Sequence, residues 1–344
     1  MIWGFRLSTA EHRMLPFKVI YSDDYFLPIG SHVFPGEKYQ RIHERLLRLN
    51  VADASDFVSP RPATDEDILL VHTAQYVHKL KTGTLSAREE LEMELPYSPD
   101  LVRAYWLAAG GSMLAADYAL NDGIAISIGG GFHHAFPDHG EGFCMINDIA
   151  VAIRRMQADE KIRTAMTIDC DVHQGNGTAV IFAPAPTPGN RMPPMMGGNP
   201  NLAQMARTRR ASTDVFTISL HQENNYPQFK PPSSLDMNLP DGIGDADYLA
   251  CLGTAISLGL EKFPKPELIS YVAGADPYRD DQLGGLSLTI EGLKQRDALV
   301  FQLAKAEGIP VMVTLAGGYA HELEDTVTIH ANTVVAAKEV YGAQ

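Results

Sequence analysis

Hydrophobic positions fall along this chain in short unbroken runs. "FKVIYS" (17–22), "GIAISIGGG" (123–131), "RTAMTIDCD" (163–171), "DVFTISLH" (214–221), "ELISYVAGAD" (267–276) and "PVMVTLAGGY" (310–319) are rich in β-branched residues and stop at Gly, Asp, His or Ser. Such runs predict strands buried on both faces. Between them, apolar residues recur at helical spacing in "KYQRIHERLLRL" (38–49), "SPDLVRAYWLAAGGSMLAADYAL" (98–120), "NDIAVAIRRMQADE" (147–160), "ADYLACLGTAISLGLEKF" (246–263) and "TIEGLKQRDALVFQLAKAEG" (289–308). Ser98 followed by Pro99 is a helix start: a side-chain cap, then a residue that needs no N–H partner. Continuous apolar strands alternating with helices predict an α/β fold with a mostly parallel sheet covered on both faces. No repeat or linker divides the chain, so a single domain is expected over 1–344.

Two segments break the rhythm. Residues 1–16 lack the apolar stretch of a secretory signal and read as a flexible extension. Residues 183–212, "APAPTPGNRMPPMMGGNPNLAQMARTRRAS", are dense in Pro, Gly, Met and Arg and read as an insertion loop after a helix that begins near Asn176.

Chemistry gathers where the apolar runs stop. His133 and His134 follow one run, and Asp169, Asp171 and His173 end another. Three more runs end at His221, at Asp276 and at Tyr319. In parallel sheets, ligands bind beyond the carboxyl ends of the strands. Asp169, Asp171 and His173 alternate by two, which on an extended chain puts them on one face. Buried together they need a partner, and a cation is the natural one. Asp171, His173 and Asp276 would make an O/O/N ligand set with a coordination position left open, as in catalytic sites. A dinuclear hydrolase of the arginase type would need further bridging carboxylates. The position three beyond His173 is the neutral Asn176, which favours a single ion.

Composition narrows the classes. Lys and Arg number 28 against 42 Asp and Glu, and the net charge of −14 argues against a nucleic-acid surface. No run approaches the length of a membrane span. Cys144, Cys170 and Cys251 are the only cysteines and have no CxxC spacing. That excludes a disulfide framework and suits a reducing cytoplasm.

The motifs "GGGFHHAFPDHGEGFCMIND", "DCDVHQGNG", "SLHQENNYP", "GADPYRDDQLGGL" and "LAGGY", with "HTAQYVHKL" upstream, occur in an order that resembles the zinc-dependent histone deacetylase family of the arginase/deacetylase superfamily. "HQGNG", "QLGGLSLT" and "LAGGYA" lean toward its class IV branch and bacterial relatives. The resemblance implies a three-layer α/β/α fold with an eight-stranded, mostly parallel sheet. It makes Asp171, His173 and Asp276 the zinc ligands and His134 the general base and acid. His133, held by Asp169, would stabilise the transition state by its charge, and Tyr319 would donate to the oxyanion. Phe143 and Tyr226 would wall an acyl-lysine tunnel with Leu283 at its rim. The Gly142 carbonyl would accept the substrate amide N–H. Asn176 would support His134 where many class I enzymes carry aspartate. Asp169, Asp171, His173, Ser219 and Leu220 would form a potassium site, and Lys38 would lie at an internal cavity. The O/O/N set suits iron(II) as well as zinc.

The expected reaction is hydrolysis of an amide on acylated lysine in proteins or peptides, or on a small acylated amine such as an acetylpolyamine. A non-catalytic acyl-lysine binder is disfavoured by the presence of His134 and Tyr319 beside all three ligands. Homo-oligomerisation is left open.

Overall fold

The computed structural model describes residues 14–26, 29–183 and 214–342. Most of the expected N-terminal extension, and the expected insertion from residue 184 on, lie outside the described residues.

Eight strands form one sheet: β1 (Val19–Ile20), β2 (Phe57–Val58), β3 (Ile124–Ser127), β4 (Ala165–Asp169), β5 (Val215–Gln222), β6 (Leu235–Leu239), β7 (Ile269–Val272) and β8 (Val311–Thr314). Their order is β2-β1-β3-β8-β7-β4-β5-β6. Every neighbouring pair runs parallel. All six runs read as strands are strands, and the sheet is parallel throughout rather than mostly so. The four central strands β3, β8, β7 and β4 are buried at every position, so both faces are covered. This is why they carry Val, Ile and Ala without polar alternation.

The five expected helices form at Lys38–Arg48, Pro99–Asp122, Asp148–Ala158, Asp245–Lys262 and Ile290–Glu307. Ser98 accepts from the Leu101 N–H as the cap, and Gly123 ends that helix at φ 85°. A left-handed residue is cheap there only for glycine. The short helix Asn176–Phe182 follows the β4 loop as anticipated. A closing helix, Leu323–Gly342, packs on Ile290–Glu307 and on Lys38–Arg48. Among the described residues no helix is long and apolar enough to cross a membrane.

The chain leaves β3 and builds β4 three positions away; β7 and β8 later fill the gap. The carboxyl ends of four consecutive central strands therefore open on the same edge.

Candidate active site

After β3 the backbone turns through Gly130 and Gly131, both left-handed at φ 91° and 86°. The buried carboxylate of Asp148 gathers this turn, accepting from Gly131 N–H at 3.0 Å, Phe132 N–H at 2.7 Å and the Ser112 hydroxyl at 2.5 Å. The turn delivers two buried imidazoles. His133 Nδ1 lies 2.7 Å from Asp169 Oδ2, and His134 Nδ1 lies 2.7 Å from Asn176 Oδ1. The two partners differ in charge, and so do the consequences. Burial works against His133's charge, but Asp169 and Asp171 outweigh it and raise its pKa to about 9. His134 is driven well below the ordinary value, by burial first and then by His133 and His173. One ring is thus a cation at neutral pH and its neighbour a neutral base.

The β4 and β7 exits supply the acidic set. The strand ends at Asp169, so Asp171 and His173 sit on the loop beyond it, not on one extended face. They converge all the same: His173 Nδ1 is 3.0 Å from Asp171 Oδ1 and 3.5 Å from Asp276 Oδ2. One ligand atom from each of Asp171, His173 and Asp276 lies within 4.8 Å of the others, and all three residues are buried. Asp276 Oδ1 accepts from Val172 N–H at 2.9 Å, and Asp171 Oδ2 from Gly317 N–H at 3.0 Å. Asp276 Oδ2 has no hydrogen-bond partner. Burial and the neighbouring Asp171 push the Asp276 carboxyl up to about 7. An orphaned carboxylate oxygen facing a second carboxylate and an imidazole fits a divalent cation, which would satisfy all three.

Arg296 braces this set from below. It is wholly buried, and its Nη1 donates to the Cys170 carbonyl at 3.2 Å and the Gly274 carbonyl at 2.6 Å. Those carbonyls immediately precede the Asp171 and Asp276 segments. Asp297 pairs with the guanidinium at 2.8 Å, so the charge is not left alone.

The mouth is built by a tight turn, Glu141 to Cys144. Cys144 N–H donates to the Glu141 carbonyl at 2.9 Å, and Glu141 N–H to the Cys144 carbonyl at 3.0 Å. Gly142 and Phe143 both have positive φ, 52° and 63°. That is the type I′ geometry, uncommon for a bulky residue such as Phe143. The Tyr105 hydroxyl holds the Phe143 carbonyl in place. A Cβ at Gly142 would meet His134 Cδ2 at 2.9 Å and the Tyr226 ring at 3.0 Å. Tyr226 stands edge-on to His134, with centroids 5.0 Å apart. Tyr319 follows Gly318, and its N–H is fixed by Asp281 Oδ2 at 2.6 Å. Its ring meets Phe143 edge-on at 5.9 Å and Phe34 at 6.2 Å. Burial, then Asp171 and Asp276, raise its hydroxyl pKa well above the ordinary value, so it stays a donor.

A cleft of about 320 Å³ joins these parts, lined among others by His133, His134, Phe143, His173 and Tyr319. Asp276, Asn176 and Tyr226 adjoin it through the contacts above. Leu283 does not line it; half-buried, it accepts through its carbonyl from Asn225 Nδ2, beside Tyr226. Ser219 faces Asp169 in the β4–β5 register, with Leu220 next on β5. His221 is inside β5 rather than at its end, its Nδ1 2.9 Å from the Ser219 hydroxyl. Lys38 is buried, its Nζ donating to the Ala316 carbonyl at 2.5 Å and 4.9 Å from the Phe34 ring centre. Sequence reasoning missed Asp148, Asp281, Arg296 and Glu141. Of these, Glu141 carried a signal, its place between two glycines in "HGEGF".

Fold and site define a metal-dependent hydrolase of the arginase/deacetylase type. A model of the histone deacetylase domain matches residues 32–334, and the chain belongs to that family. An uncharacterized protein of Picosynechococcus sp. is 36% identical over 94% of this chain and 99% of its own length. Histone deacetylase 2 of Arabidopsis thaliana is 29% identical, over 88% of this chain and 74% of its own. The crystal structure of an HDAC homolog from Aquifex aeolicus superposes with TM-score 0.73 at 22% identity, over 95% of this chain and 84% of the other. The protein is thus a hydrolase acting on amides.

Proposed function

We propose that this enzyme removes acetyl or longer acyl groups from the Nε of lysine in proteins or peptides. The observation that carries this reading is the cleft in which a neutral buried imidazole, a charged one and a phenol face the Asp171–His173–Asp276 set. Zinc held there, with iron(II) as the alternative, supplies a Lewis acid that polarises the amide carbonyl and acidifies water. His134 takes the proton of the attacking water and returns it to the leaving amine. Its Nδ1 is engaged by Asn176, which leaves Nε2 to do so. His133, kept charged by Asp169, stabilises the developing negative charge, and Tyr319 donates its O–H to the oxyanion. Phe143 and Tyr226 flank the acyl-lysine stem, Leu283 stands at the rim and the Gly142 carbonyl accepts the substrate amide N–H. Potassium would sit by Asp169, Asp171, His173, Ser219 and Leu220, supported by the facing of Asp169 and Ser219 across the sheet.

A small acylated amine is the second reading, favoured by the Glu141 carboxylate at the mouth, which would attract a cationic substrate. Steady-state kcat/KM on acetyl-lysine peptides and N-acetylated polyamines decides between them, with chelation and zinc restoration in parallel. The peptides are expected to be turned over faster, and chelation to abolish the rate until metal is returned. Polyamines favoured by tenfold or more would overturn the lysine reading. A chelation-insensitive rate in metal-free protein would overturn the metal assignment.

A further inference from the structure

The support of His134 does not end at Asn176. Asn176 Oδ1 accepts from His134 Nδ1 at 2.7 Å and from Gly177 N–H at 3.0 Å. Its Nδ2 donates to Glu141 Oε1 at 2.8 Å. The same carboxylate oxygen accepts from the Tyr226 hydroxyl at 2.6 Å. Glu141 side-chain exposure is 23%, and the nearby His139 Nε2 lies 3.7 Å from its other oxygen. Glu141 is carried on the I′ turn, so its position is set by backbone that also places Gly142 and Phe143.

An asparagine beside an imidazole is a weaker support than an aspartate, because its two ends are chemically opposite. If the amide turned over, its NH₂ would face His134 Nδ1 and force the proton onto Nε2, leaving no base toward the cleft. An acceptor on Nδ2 opposes that turn, and a charged one also polarises the amide so that Oδ1 becomes a stronger acceptor. We propose that Glu141 is a positioning residue: through the Asn176 amide it holds His134 as the Nδ1–H tautomer, and through the same oxygen it seats Tyr226 against that ring. Glu141 thus does at one remove what a carboxylate at position 176 would do directly. The proposal rests on the assignment of His134 as the base.

The test is a set of four variants of the full chain, each with metal content and thermal midpoint measured. Glu141→Ala should lower kcat about tenfold, the scale set by loss of a supporting hydrogen-bond partner. Glu141→Gln keeps an acceptor and should fall less. Asn176→Asp alone sets two carboxylates against each other and should be impaired. Combined with Glu141→Ala, the same Asp should recover kcat, because a carboxylate has no wrong orientation. A merely structural role gives additive losses in the double variant. Two-bond ¹H–¹⁵N spectra of histidine-labelled protein report the His134 tautomer with no turnover required. They should show Nδ1–H in wild type and a mixture in Glu141→Ala. An unchanged tautomer in folded Glu141→Ala, or no recovery in the double variant, overturns the proposal. Inactivity of the metal-loaded wild type on every acylated amine would instead sink the functional reading, leaving the tautomer measurement to stand by itself.

Discussion

Gly317 offers a sharp perturbation of the acidic set, because it touches both carboxylates without being one of them. A Cβ added there would lie 2.1 Å from Asp276 Oδ2 and 2.5 Å from Asp171 Oδ2. Real Cβ atoms stay beyond 3.0 Å, so Asp276 Oδ2 would have to retreat by roughly 1 Å, five times the ±0.2 Å tolerance of metal–ligand distances. The Asp276 carboxylate is held from its other side. Asp276 Oδ1 is tied to Val172 N–H at 2.9 Å, and the Gly274 backbone packs so closely that its own Cβ would fall 2.8 Å from that oxygen. Gly317→Ala should therefore weaken zinc binding by about a hundredfold, the upper end for perturbed ligand support, equivalent to about 2.7 kcal/mol. Metal content after equilibration in zinc-buffered solutions, read beside kcat/KM and the thermal midpoint, measures it. Gly253→Ala is the control: inside the helix Asp245–Lys262 the new methyl meets only Leu299 Cδ2 at 4.0 Å. It should leave metal untouched and raise stability by about 0.5–1 kcal/mol. A Gly317→Ala enzyme that binds zinc as wild type does would show that the two carboxylates are not held in a common ligand geometry.

Two further outcomes follow from the site. Tyr319→Phe should keep its metal and lose about a hundredfold in kcat, the cost of one oxyanion donor; retention of more than a third of the rate would remove that role. For His139, burial is outweighed by Asp138 and Glu141, which raise its pKa to about 9 from 6.5. Its pairing therefore stabilises the fold fully below pH 6.5 and is lost as pH rises through about 9. Thermal midpoints from pH 6 to 10 should show the wild type's advantage over His139→Gln shrinking across that window, and a constant difference would refute the assignment.

The central strands were legible because a parallel strand buried on both faces reads as a short, mostly apolar run with only small or strand-end polar residues such as Ser127, Thr167 and Asp169. The edges were not. β2 is two residues long, and β6, "LDMNL", is half-exposed with polar residues at alternate positions. The closing helix Leu323–Gly342 was missed because its many Thr and Val residues blur a helical pattern toward strand. The helices Asp65–Ile68 and Ala87–Met93 were overlooked despite readable caps: Thr64 with Asp67, and Ser86 with Glu89, are capping boxes.

The candidate ligands and imidazoles could be found from sequence for a topological reason. When parallel strands neighbour one another, their carboxyl ends must meet, so polar residues after β3, β4, β7 and β8 come together whatever the loops do. Residue types at strand ends then suffice. Arg296 and Glu141 obey no such rule. Arg296 lies in the middle of a helix, where an arginine ordinarily faces solvent; only the packed helix shows that its guanidinium reaches the carbonyls of Cys170 and Gly274. Glu141 looks like a turn residue until the chain brings Asn176 and Tyr226 to the same oxygen from 35 and 85 positions away. First contacts with a ligand are set by topology and are visible in one dimension. The groups that orient those contacts are set by side-chain packing in three, and for Glu141 the traces were its place between two glycines and the neutral Asn176: an amide where a charge would do better implies a charge somewhere behind it.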